Sequence, residues 1–127
     1  RNLQDETGGF QTFICFPFHP SNTVLDGKII QATVWDELKT MAISRLMLDN
    51  FKNIKAYWVM LTLPIAQLAL AFGANDIDGT VSEEKIMHAA GAKSATSLTK
   101  EVIINTIRET GRIPVERDSM YNIVKIL

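Results

Sequence analysis

Segments with the composition of β-strands alternate with segments of helical periodicity along these 127 residues, and that order restricts the fold more than any other feature. The first β-type run, "FQTFICFPF" (10–18), is aromatic and β-branched. It is apolar on both faces, with Phe10, Ile14, Phe16 and Phe18 on one and Phe13 and Cys15 on the other. A strand apolar on both sides suits a parallel sheet covered by helices. "IKAYWVML" (54–61), "NDID" (75–78) and "RIPVERD" (112–118) are the later strand candidates.

Helical runs separate them. Thr33 is placed to cap a helix, with Asp36 as its capping-box partner, and "WDELKTMAISRLMLDN" (35–50) sets Trp35, Leu38, Met41, Ala42 and Leu46 on one stripe. Pro64 suits the first turn of a helix over "IAQLALAFG" (65–73), which Gly73 ends. "GTVSEEKIMHAAG" (79–91) pairs Thr80 with Glu83, or starts at Ser82, and "SATSLTKEVIINTIRETG" (94–111) offers Thr99 as cap and Gly111 as stop. "DETGG" (5–9) is a turn signal, "HPSNT" (19–23) breaks the first strand, and "MYNIVKIL" (120–127) reads ambiguously. The order strand, helix, strand, helix, strand, two helices, strand predicts an α/β chain of βαβ units with parallel strands. An open doubly wound sheet and a partial (β/α) barrel both satisfy it; a complete barrel needs roughly 250 residues.

Composition narrows the function. Hydrophobic residues make up 46% and charged residues 21%, as in a globular chain, and the length suits a single domain over 1–127. The net charge of −1 gives no basic surplus for nucleic acid or a membrane surface, and no apolar run is long enough to span a bilayer. The polar start "RNLQDETGG" carries no secretory signal, and Cys15 is the only cysteine. A cytoplasmic location is therefore expected, and no metal site is expected from the chain's own thiol.

In either architecture, ligands sit at the C-terminal ends of parallel strands. His19 directly follows the first strand. It serves either as a loop histidine bonded to a carbonyl, or as a proton donor and acceptor, or as a contact to a carboxylate. Asn22 is a turn residue or a hydrogen-bonding partner for a ligand. Asp76 and Asp78 alternate along their strand, so both should face one side of the sheet, where two carboxylates need partners. They either serve turn chemistry around Gly79 and Thr80 or hold a polar ligand. Arg117 forms a surface pair with Glu116 or Asp118, or clamps an anion through its fork. Arg45 and Asp49 are spaced for a helical pair, and Gln67 needs a partner in an apolar helix. Tyr57 and Trp58 should point to opposite faces, so that one could stack on a ring. GxGxxG, Walker, HExxH, CxxC and GxSxG motifs are all missing from the sequence.

"GGFQTFICFPFHPSNT", "ISRLMLDNFKNIKAYWVML", "FGANDIDGTVSEEKIMHAAGA" and "ETGRIPVERDSMYN" resemble the C-terminal half of the aminofutalosine synthase family, over nearly all of residues 4–124. The resemblance extends in outline to cyclic dehypoxanthine futalosine synthase and to the two-part synthase of the deazaflavin cofactor. It implies the later units of a radical S-adenosylmethionine (β/α) barrel. It also implies a reaction in which a 5′-deoxyadenosyl radical, made from S-adenosylmethionine at a [4Fe-4S] cluster, adds to 3-[(1-carboxyvinyl)oxy]benzoate. Loss of the carboxylate then gives aminofutalosine, on the route to menaquinone. The family's CxxxCxxC cluster motif belongs to the N-terminal half and is missing here, so this chain alone is expected to be inactive and to need that half as its partner. Carried onto matching positions, His19 and Asp78 become candidate catalytic residues. Asn22, Asn75, Asp76, Thr80 and Arg117 become candidates for binding substrate or cofactor. The cyclase, or an α/β binding domain without chemistry, are the alternatives. An isolated half-barrel leaves sheet edges open, so self-association, or disorder near Phe10–Phe18, is expected.

Overall fold

The computed structural model describes residues 1–80 and 97–127 together with Ala89 and Ala95. The helix expected over 79–91, with Glu83 and His88, lies outside the described residues but for Gly79, Thr80 and Ala89. So do most positions of the stretch 91–96.

A short helix, α1 (Asn2–Thr7), ends at Gly8 in the left-handed conformation, which places the "DETGG" turn signal at a helix terminus. Strand β1 (Thr12–Ile14) follows, then a long loop and helix α2 (Val34–Met47). The expected cap of α2 is present in full. The Thr33 hydroxyl accepts from the Asp36 amide at 3.2 Å, and the Asp36 carboxylate accepts from the Thr33 amide at 3.1 Å. Strand β2 (Asn53–Ala56) leads into helix α3 (Trp58–Leu61) and helix α4 (Leu63–Ala69), with Pro64 in its first turn, and a tight turn over Leu70–Phe72. Strand β3 is Asp76–Ile77. Helix α5 (Lys100–Glu109) starts at its Thr99 cap, and the chain closes with β4 (Val115–Arg117) and β5 (Ile123–Ile126).

Strands β1, β2 and β3 form a parallel sheet in that order, with Ile14 opposite Lys55, Lys55 opposite Asp76, and Ala56 opposite Ile77. Ile54 and Ala56 are buried while Asn53 and Lys55 are half-buried, so the two faces of β2 differ. The apolar face packs with Leu38 and Met41 of α2, Ala66 and Ala69 of α4, Ile77 of β3, and Trp58, Val59 and Leu61 of α3. The other face carries Lys55 and Asp76.

Four expectations are corrected. The first strand is shorter than 10–18: the ladder spans Thr12–Ile14, Pro17 beyond it has no amide to donate, and Phe10, Phe16 and Phe18 are exposed. The second does not run to residue 61: after Ala56 the chain coils into α3, and Trp58–Leu61, apolar and buried throughout, carry no period to tell strand from helix. The segment 112–118 is not a fourth parallel strand. β4 pairs antiparallel with β5, from the ambiguous tail, in a separate two-stranded sheet. The connection 118–122 is too short for the crossover a parallel pair requires. Asp118 shapes it by accepting from the amides of Met120 and Asn122. The stripe of α2 is rotated: Leu38, Met41 and Ser44 are buried, whereas Trp35 and Leu46 are exposed, Trp35 resting edge-on against Phe72. No helix among the described residues is long and apolar enough to cross a membrane.

Candidate functional site

Strand alternation sends Asp76 and Asp78 to the same side, and one ammonium serves both. Lys55 Nζ, from the central strand, lies 2.9 Å from Asp78 Oδ1 and 3.8 Å from Asp76 Oδ2. Arg117, from the hairpin, completes the group. Its Nε donates to Asp76 Oδ1 and its Nη2 to Asp76 Oδ2, each at 2.8 Å. The Tyr121 hydroxyl donates to the same carboxylate at 3.2 Å, and the Arg117 guanidinium stacks 4.0 Å over the Tyr121 ring. Two carboxylates and two cations thus balance on a partly desolvated sheet face. Charges need such pairing when removed from water. The hydrogen bonds to Asp76 push the Arg117 guanidinium further up, against the opposing effect of burial.

A cavity of about 740 Å³ adjoins this group, between β3, α5 and the hairpin. Its polar wall includes Asp76, Asp78, Thr80 and Arg117, and its apolar wall includes Ile103 and Ile107. Trp58, wholly buried, steadies the rim by donating Nε1–H to the Gly79 carbonyl at 3.2 Å. Pockets of this size with a few convergent polar groups suit small-molecule ligands.

The residues singled out from the sequence divide into three sets. Asp76, Asp78, Thr80 and Arg117 come together at the cavity. Asn75 also touches its wall, but its side chain is committed elsewhere. The Asn75 Oδ1 accepts from the Ile54 amide and from Arg45 Nη2, both at 2.8 Å, and its Nδ2 donates to the Lys52 carbonyl. Asn75 thereby ties β3 to the start of β2. His19 and Asn22 stand apart, on the loop after β1. His19 Nδ1 accepts from Gln31 at 2.9 Å and its Nε2 meets the Met60 carbonyl at 3.3 Å, an assignment that places the proton on Nε2. Asn22 adopts φ 60 and donates to the Ala89 carbonyl.

Arg117 does not use Glu116 or the Asp118 carboxylate as its ion-pair partner; Glu116 pairs with Lys100, and Asp118 offers Arg117 only its backbone carbonyl. Arg45 is likewise not paired with Asp49: it donates to the Gly73 and Phe51 carbonyls, while Asp49 pairs with Arg1. Gln67 finds the Thr106 carbonyl and the Glu109 carboxylate. Sequence reasoning missed Lys55 and Tyr121. A lone lysine at an alternating position of an otherwise apolar strand was the available signal for the first.

A second cavity, of about 220 Å³, lies at the end of β1 beside Glu37, Cys15 and Phe16. Burial, and then the neighbouring Asp36 charge, push the Glu37 carboxyl up, and its Oε2 is buried without a hydrogen-bond partner. Burial, reinforced by Glu37, also pushes the Cys15 thiol up, so it is held as a thiol. The chain contains one cysteine, which cannot supply the three thiolates of an iron–sulfur cluster site, and no group of three or more His, Cys, Asp or Glu among the described residues is placed to hold a metal.

A family model described as the CofH/MqnC C-terminal region matches residues 7–127. An aminodeoxyfutalosine synthase of Thermus thermophilus is 46% identical over 129 residues, covering 99% of this chain and 35% of that protein. A 5-amino-6-(D-ribitylamino)uracil–L-tyrosine 4-hydroxyphenyl transferase of Methanothermobacter thermautotrophicus is 45% identical, covering 95% and 34%. A cyclic dehypoxanthine futalosine synthase of Streptomyces coelicolor is 38% identical, covering 95% and 30%. The chain spans about a third of the length of the curated relatives it matches.

Proposed function

The chain belongs to the CofH/MqnC C-terminal family, and from that premise we propose that it is the C-terminal part of a radical S-adenosylmethionine enzyme, an aminofutalosine synthase. In this reading β1, β2 and β3 are consecutive strands of a partial (β/α) barrel, residues 1–127 act as one domain, and the N-terminal half of the same barrel is the chain's partner. The [4Fe-4S] cluster and S-adenosylmethionine, held by that other half, supply a 5′-deoxyadenosyl radical when bound. The acceptor is 3-[(1-carboxyvinyl)oxy]benzoate, and the product is aminofutalosine.

The observation that carries the reading is the balanced group Lys55–Asp78 and Asp76–Arg117, set on one face of a parallel sheet beside a cavity. Such a face of a βα unit, near the strand C-terminal ends, is where this architecture places its chemistry. Within it Asp78 is the carboxylate proposed to act on the substrate, since among the described residues Lys55 is its one ion-pair partner and its side chain is 26% exposed, against 10% for Asp76. Asp76 and Arg117 hold the wall in shape, Thr80 offers a hydroxyl at the rim, and Asn75 positions β3. His19, with Asn22 on the same loop, is proposed to fix the rim between the first two strands and to meet the substrate there.

The test uses the intact polypeptide, prepared without oxygen and supplied with S-adenosylmethionine and the benzoate enol ether. Aminofutalosine should form. His19→Ala and Asp78→Ala should each lower turnover by more than about tenfold without unfolding the protein, which a cooperative thermal transition in each variant checks. Wild-type turnover in both variants would reduce these residues to loop formers. The near-equal identity to the L-tyrosine 4-hydroxyphenyl transferase favours a second reading, transfer to a ribitylaminouracil, and the same incubation with that pair of substrates separates the two.

A further inference from the structure

We infer that the smaller cavity, at the end of β1, is a binding site for a small alkylammonium ion, with the positive charge against Glu37 and the alkyl body against Phe16 and Phe18. The cavity shares no lining residue with the larger one, so this site lies outside the reaction proposed above. Local chemistry builds it. The Thr33–Asp36 box fixes the first turn of α2, and Glu37 follows at once, close enough to β1 for its charge to act on Cys15. Beyond Ile14 the chain leaves the ladder, and Phe16 and Phe18 flank the buried Pro17. Met41 and Leu61, both buried, close the cavity from the core side.

The lining selects the ligand by charge. Asp36 and Glu37 both line the cavity, and among the described residues around it there is no Lys, Arg or His. Asp36 is already served by the amide and the hydroxyl of Thr33. Glu37 is not. Its Oε2 is cut off from solvent without a hydrogen-bond partner, and none of the ion pairs among the described residues includes it. The nearby Thr40 hydroxyl is spent on the Asp36 carbonyl, at 2.7 Å. A carboxylate removed from water in this way is stabilised by a cation. Glu37 is half-buried and lines the cavity, so an ammonium there meets its other oxygen, Oε1.

The rings complete the site. Phe16 is 56% and Phe18 51% exposed, and the face of a phenyl ring attracts positive charge through its quadrupole. An anion would meet two carboxylates here, and a neutral alkyl group would leave Glu37 unserved. A short alkylammonium suits both the acid and the rings. The volume fits such an ion: the cavity holds about 220 Å³, room for roughly seven water-sized groups at about 30 Å³ each. Burial and then the Asp36 charge disfavour the ionised form of Glu37, and a cation in the cavity offsets both.

The experiment titrates the intact polypeptide with three probes of one shape, n-butylammonium, 1-butanol and butyrate, followed by the NMR signals of the probe. The wild type should bind butylammonium at least about fivefold more tightly than 1-butanol, and butyrate least of all. Glu37→Gln should cut the preference for the ammonium by at least about threefold while changing 1-butanol by less than about twofold. Phe16→Leu and Phe18→Leu keep the apolar wall but lose the ring face, so each should weaken butylammonium by about threefold and spare the alcohol. Ratios between probes within one variant are insensitive to a general loss of folding. Equal binding of ammonium and alcohol by the wild type would overturn the site. So would a preference that survives Glu37→Gln, or one that neither leucine change touches.

Discussion

The Arg117 guanidinium grips both carboxylate oxygens of Asp76, at 2.8 Å each, and so fastens the C-terminal hairpin to the edge strand of the parallel sheet by side chains alone. The two sheets share no ladder, and this fork stands in for one.

Removing one partner of a desolvated pair leaves the other charge exposed to its full cost. Arg117→Ala should therefore lower stability by about 3 kcal/mol, measured by urea unfolding. Arg117→Lys keeps the charge but offers no fork, and should still cost about 1 kcal/mol or more. Asp76→Asn should be less than additive with Arg117→Ala, since the two changes remove one interaction. Additive effects in the double variant would mean that the hairpin is held by something else.

Gly73 stands where the turn after α4 meets α2. Its φ is 106, and a methyl group there would lie 2.6 Å from Arg45 Cβ. Arg45 cannot yield easily, because it donates to the Gly73 carbonyl at 2.8 Å, the Phe51 carbonyl at 3.0 Å and Asn75 Oδ1 at 2.8 Å. Gly73→Ala should thus cost roughly 2 kcal/mol or more, combining left-handed strain with displacement of Arg45. Circular dichroism melts will show it. A loss equal to that of Ala71→Gly, a change at a neighbouring exposed position, would show that Arg45 gives way freely.

How legible was this arrangement in the chain itself? Helix starts were readable because they depend on a few adjacent atoms. Thr33 with Asp36, Thr99, Pro64 and Gly73 each sit where local chemistry required. Which strands pair was not readable to the same degree. "RIPVERD" has the composition of a strand, but nothing local states that its neighbour is the tail 123–126 and not β3. The run 54–61 hid a change from strand to helix, since Trp58–Leu61 are apolar and buried throughout, which erases the period that distinguishes the two. At the site, the shared side of Asp76 and Asp78 followed from alternation alone, and Lys55 reaches both. Lys55 itself went unnoticed because its register opposite Asp76 is a property of the sheet and not of the sequence.

Thr33 and Asp36 exchange hydrogen bonds across the first turn of α2, with the Thr33 hydroxyl also donating to Asp36 Oδ2 at 2.7 Å. The bonds from Thr33 draw the Asp36 carboxyl below the usual range. Thr33→Ala removes the side-chain half of the box and should cost about 1 kcal/mol, whereas Thr33→Ser should cost far less. Chemical denaturation of the three proteins side by side gives the comparison. An alanine variant as stable as wild type would assign the start of α2 to tertiary packing.

Glu37 yields a prediction with a sign. Burial is the larger cause of its raised carboxyl, the Asp36 charge the lesser, and Oε2 has no donor to offset either. The folded state therefore binds this proton more tightly than the unfolded chain does. Its contribution is fully present below the unfolded pKa, about 4.3 for a glutamate, and is lost as pH rises through the higher folded value. Glu37→Gln carries no charge to desolvate. Melts across the range from acid to neutral should show the wild type losing ground relative to Glu37→Gln as pH rises, with the gap closed at the acid end. Two curves running parallel over the whole range would mean that the Glu37 carboxylate is solvated in the folded protein, and that the small cavity beside Cys15 and Phe16 admits enough water to hydrate it.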